Sequence, residues 1–210
     1  MLRVFVLTFL LGVSLFAGIA WLGYKSGGGP AATGETQPAS SSDQSTAWSE
    51  PDNFMGWRFG ENLRTQLSTC PADRGSSRTP CIEDIVKDTF EIKNLYVGDQ
   101  PLGVVYARQI SNRLHQITVV FPSNRYSEVS DIFVERYGKP TMRRTEMRKF
   151  KSGASVSSDV LEWLGKNINI TVQERGEKAD EGLAVYSTAT WRAAKEAENK
   201  RQVQDAAKRL

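Results

Sequence analysis

Val4 to Leu22 is one apolar run, interrupted only by Thr8, Gly12, Ser14 and Gly18 and free of charge. As a helix rising about 1.5 Å per residue it spans about 28 Å, close to the hydrocarbon core of a bilayer. The apolar core of a signal peptide is shorter, about 7–15 residues. The length favours an uncleaved anchor. The alternative is a signal peptide cut after Gly18-Ile19-Ala20, which has small residues at the third-last and last positions. Trp21 and Tyr24 suit the interfacial belt of an uncleaved helix. Arg3 precedes the run and Lys25 follows it, with no further base until Arg58. That asymmetry leans towards a translocated C-terminal part. Both alternatives place the folded part outside the cytoplasm.

Residues 26–53 read as a disordered linker, rich in Gly, Ser, Pro, Thr and Ala. They carry Glu35, Asp43, Glu50 and Asp52 but no base, and they lack apolar periodicity. Such a flexible tether has a root-mean-square reach of about 30 Å. Cys70 and Cys81 are the only cysteines of the 210-residue chain. An even count in a translocated domain points to a disulfide. Ten residues between them are too many for the usual redox pair, so the bond is read as structural. It would stabilise the turn-rich loop by about 3 kcal/mol in the chain-entropy model.

The globular part is expected at residues 54–190. Phe54 to Phe59 suggests a short strand or lead-in, and Leu63 with Leu67 a short helix over Glu61 to Ser68. Ile82 to Val86 suggests a helical turn. Three strands follow: Thr89 to Val97, slipping phase near Asn94; Leu102 to Arg108, with Leu102, Val104 and Tyr106 on one side; and Leu114 to Phe121. Val129, Phe133 and Tyr137 make a helical stripe over Asn124 to Tyr137, closed by Gly138 and Pro140. A polar extended segment, Thr141 to Phe150, precedes strands at Val160 to Leu164, Ile168 to Glu174 and Leu183 to Thr188. The fold class read from this order is α+β, an antiparallel sheet with helices on one face, arranged as two tandem αβββ units. Residues 191–210 form a C-terminal charged helix with a thin apolar face that docks through Trp191.

The lead Phe-x-Gly-x-x-Phe-Gly, the cysteine pair and the helix ending Arg136-Tyr137-Gly138-Lys139-Pro140 before strands resemble small bacterial periplasmic envelope proteins of unknown function. The order of helix, Gly-x-Pro and strands is also similar to outer-membrane assembly lipoproteins and to β-lactamase-inhibitory proteins. The resemblance covers about half the chain, by order of elements more than by identity. It implies a binding domain rather than an enzyme. With the apolar run, the expected location is the inner membrane with a periplasmic domain, or the periplasm if the segment is cleaved. No lipid-attachment cysteine ends the apolar run, which departs from the lipoprotein pattern.

A net charge of +3 is too mild for a chain built to bind nucleic acid. One histidine and two cysteines leave no zinc site made of those ligands alone. No cofactor or metal is expected. His115, on an apolar strand face, reads as a partly buried hydrogen-bonded residue rather than a catalyst. The serines from Ser152 to Ser158 lack any nucleophile motif. Arg143, Arg144, Arg148, Lys149 and Lys151 cluster against one acid, Glu146. They read either as a solvated edge strand, where bases discourage pairing, or as a patch for an anionic ligand or acidic partner. The leading expectation is a non-enzymatic, membrane-tethered module that binds an envelope protein, with the C-terminal helix and the basic strand as contacts. The alternatives are a binding protein for an anionic envelope component, lipid headgroup or lipopolysaccharide, and a hydrolase with dispersed site residues.

Overall fold

The computed structural model describes residues 48–73, 78–151 and 153–209. The apolar run at 4–22 and the tether as far as residue 47 lie outside the described residues. Among the described residues no helix is long and apolar enough to cross a membrane.

The protein is α+β, with an eight-stranded antiparallel sheet and a C-terminal helix. The described part opens with a minimal hairpin of β1 (Asn53–Phe54) and β2 (Trp57–Arg58). Helix α1 (Leu63–Gln66) is one turn, capped by the Asn62 side chain, which accepts the Arg64 N–H. Next come β3 (Cys81–Val86), β4 (Thr89–Lys93), a small hairpin of β5 (Tyr96–Val97) and β6 (Gln100–Pro101), β7 (Val104–Ile110) and β8 (Arg113–Pro122). A 3-10 turn, Ser123–Arg125, leads into α2 (Tyr126–Tyr137). Then follow β9 (Met142–Lys149), β10 (Ser155–Leu164), β11 (Ile168–Gln173), β12 (Glu181–Thr188) and α3 (Ala189–Ala207). The sheet order is β3-β4-β7-β8-β12-β11-β10-β9. Each run of strands is thus a meander of four sheet strands, not three. The last strands of the two runs, β8 and β12, pair in the middle, and the first strands, β3 and β9, form the outer edges.

Side chains alternate across the strands, so one register defines one core face. Trp163, Ile170, Tyr186, Ile117, Ala107 and Phe90 follow one another across six strands of that face. All six are buried, together with Leu63 of α1 and Val129, Phe133 and Tyr137 of α2, in one apolar cluster. The Tyr186 and Tyr137 hydroxyls lie 3.1 Å apart within it. Gly138, at φ +78°, ends α2, and its carbonyl accepts the Trp163 indole N–H at 2.9 Å. Gly182 is required at the centre of the sheet, because a Cβ there would stand 2.3 Å from the Phe121 ring.

The structure departs from the sequence reading in several places. Ile82 to Val86 is strand, not a helical turn. Asp88, at φ +60°, folds β3 back on β4, and only Cys81 and Ile82 of β3 are buried. On β7 the core face is Val105 and Ala107, while Val104 is 40% exposed. Gly103, at φ +120°, breaks the phase between Leu102 and the strand, and a Cβ there would collide with the Val120 carbonyl. The expected linker end also differs: Trp48 packs on the core, and Glu50 is held by the β10–β11 turn. Phe54–Phe59 is not one strand but a tight hairpin, turned at Met55 (φ +52°) and Gly56 (φ +93°), whereas the slip at Asn94 (φ +60°) and the α2 stripe with its Gly138 stop are as the sequence suggests.

Candidate functional site

The five clustered bases do not form one patch, because a strand alternates. The pairing of β9 with β10 sets Arg143 opposite Leu161 and Thr145 opposite Asp159, on the face where the helices pack. Lys149 shares their parity. Arg144 and Arg148 lie on the other face, and there they are neutralised. Arg144 is paired with Glu146 and lies 3.3 Å from Glu162, and those contacts raise its pKa. Arg148 reaches Glu146 at 3.6 Å and donates to the Gln173 side chain at 2.9 Å. Lys151 follows β9 in an exposed turn. Among the described residues Arg143, Lys149 and Lys151 make no ion pair.

Arg143 lines a groove of about 330 Å³ between α2 and the β9 edge. Tyr126 and Ser130 form its helix wall, and Thr145, Asp159 and Leu161 its sheet wall. The Thr145 hydroxyl donates to Asp159 at 2.6 Å. Burial, reinforced by Asp159 and Glu174, pushes the Tyr126 hydroxyl up to about 12, against a smaller opposing pull from Arg143. Tyr126 is therefore a neutral hydrogen-bonding group at neutral pH. Among the described residues no strand lies beyond β9, whose backbone beside this groove ends the sheet.

Among the described residues no helix buries a side chain against the opposite face of the sheet. Val104, Val120, Leu183, Gln173, Val160 and Arg144 form one row across it. Tyr106, Thr118, Val185, Thr171 and Glu162 form the next. Apart from wholly buried Val160, these residues are half-buried or exposed. Acids border the rows on the β3–β4 side, where Glu83 stands opposite Glu91 and Lys93 bridges both. The β11–β12 loop borders them at another margin. Arg175 braces that loop, donating to Ser123 Oγ at 3.1 Å and to the Ala179 carbonyl.

His115 sits in a β-bulge of β8: Leu114 and Gln116 pair with consecutive residues of β7, and His115 pairs with neither. It is buried, and its Nδ1 lies 2.8 Å from Thr188 Oγ1. Thr188 Oγ1 also accepts the Trp191 N–H and so caps α3. Burial, helped by Arg113, lowers the His115 pKa, and the ring is a structural tie between β8 and α3. Trp191 is half-buried under the Lys195 ammonium, and α3 contributes no buried residue of its own. Cys70 and Cys81 are bonded, with Cα atoms 4.9 Å apart. Among the described residues no three His, Cys, Asp or Glu side chains gather as metal ligands would.

The groove and the helix-free rows were not legible as sites in the sequence. Both are made by register between strands distant in the chain, and alternation in one strand is the only local signal of either. Compared with protein-family models, with curated proteins and with solved structures, the chain matches none.

Proposed function

We propose that the chain is a non-enzymatic protein-binding module, tethered to a bacterial inner membrane through residues 4–22 and presenting its domain to the periplasm. On this reading the two helix-plus-meander halves are tandem units that together build one broad platform. The observation that carries it is the helix-free face. Val104, Tyr106, Val120, Leu183 and Val185 lie in two adjoining rows at its centre, between charged margins. An apolar centre with a polar rim is the anatomy of a protein interface. The occupant is an envelope protein that lays an apolar ridge across these rows.

The test is affinity capture from gently solubilised membranes, with the full chain beside a Tyr106→Glu, Leu183→Asp double variant. Both positions are half-buried and outside the apolar cluster, so the variant's circular dichroism should match the parent. The expected result is one near-stoichiometric partner held by the parent and retained at least about ten-fold less by the variant. A partner held equally by both, or none held by either, overturns the reading.

A further inference from the structure

We infer that the β9 edge, with the groove beside α2, is a docking site for an extended acidic segment, which adds to the sheet as a further strand. This surface is distinct from the helix-free rows, and it rests on three observations.

First, β9 is an eight-residue edge strand whose residues are mostly exposed. Its outward backbone N–H and C=O groups are a ready ladder for a strand of another chain. The other sheet edge differs: Ser68 and Cys70 exchange backbone hydrogen bonds with Ile82, so the disulfide-bonded segment lies along the start of β3. Second, the charges of β9 itself that are left without an ion pair are of one sign, and Asp159 of β10, beside them, accepts the Thr145 hydroxyl. The acids Glu146 and Glu162 are engaged by Arg144 and Arg148 on the helix-free face. Arg143 and Lys149, on the helix side, have no ion-pair partner among the described residues. Third, the groove behind Arg143 offers the Tyr126 hydroxyl to side chains of an added strand, while the Ser130 and Thr145 hydroxyls donate to the Ser127 carbonyl and to Asp159.

Cross-strand charge pairs decide the occupant. A basic or self-complementary strand would set like charges opposite Arg143 and Lys149, which is unfavourable, whereas acidic residues there would be paired. The bases therefore reject a second copy of β9 and select an acidic strand. Arg143 and Lys149 are six residues apart, so a matching segment carries acids about 20 Å apart on one of its faces.

The probe is a synthetic peptide of alternating Glu and Val, titrated against the full-length chain in detergent. Beside it run a Lys/Val peptide and a Glu/Val peptide N-methylated at alternate residues. Hydrogen exchange reports the β9 amides. The expected result is salt-sensitive binding of the Glu/Val peptide, with slowed exchange across residues 142–149. The N-methylated and Lys/Val peptides should each bind about ten-fold more weakly or worse. An Arg143→Glu, Lys149→Glu variant should reverse the preference to the Lys/Val peptide. Both positions lie on the exposed edge, and unchanged exchange in β10–β12 shows that the variant is folded. Equal binding of the N-methylated peptide shows that charge alone is read, and overturns strand addition. Binding without β9 protection, or no binding of the Glu/Val peptide, overturns it as well.

Discussion

His115 joins two elements through one contact, and that contact is pH-dependent. Its ring is buried against Thr188, which also caps α3. Burial lowers its pKa below the ordinary 6.5, so the unfolded chain takes up a proton more readily than the folded one. The stabilisation is complete above that ordinary value and is lost as pH falls through the lowered one. Urea midpoints should therefore fall between about pH 7.5 and about pH 5.5 in the parent and much less in His115→Gln. It is the only histidine, so an equal fall in both proteins would refute the assignment. Glu50 shows why other residues escaped the sequence reading. Its carboxylate accepts the backbone N–H groups of Lys166, at 3.1 Å, and of Asn167 and Ile168. A Cβ on Gly165 would strike the Ile168 carbonyl and that same carboxylate. Glu50 looked like one more acid of a tether, because its partners lie more than a hundred residues away in the chain.

At the scale of elements, local pattern was sufficient wherever a helix or strand buries one regular face. Helix α2 was legible because Val129, Phe133 and Tyr137 keep helical spacing and Gly138 stops it. Strand β3 was not, because Ile85 and Val86 are exposed and its alternation fades after Ile82. The basic cluster around β9 looked like one patch in the sequence and is two, since alternate residues face opposite sides of the sheet. The cysteine pair was legible from its even count, and its bond ties the chain after α1 to the first residue of β3. Replacing both cysteines by serine should cost about 3 kcal/mol in urea denaturation. The loss should be accompanied by faster hydrogen exchange at Cys81 and Ile82 positions, where the neighbouring chain is held against β3. A variant as stable as the parent would show that the strand pairing alone holds this edge.

At the scale of the whole molecule, the two meanders meet along one seam, where Ile117, Val119 and Phe121 of β8 face Tyr186, Ala184 and Gly182 of β12. Gly182→Ala pushes a methyl group into the Phe121 ring and should cost about 1–3 kcal/mol by overpacking. Calorimetry or urea unfolding measures this, and an unchanged midpoint would mean that the ring has room to turn away. The seam has a kinetic consequence too. Every other pairing in the large sheet joins strands consecutive in their meander, so it closes only short stretches of chain. The β8–β12 pairing must enclose α2 and β9 to β11, and it carries the largest loop-closure entropy. Each half can collapse early on local contacts, while joining them sets the pace. Until they join, β8 and β12 are bare edges of matching register, and at high concentration the first half of one chain can close on the second half of another.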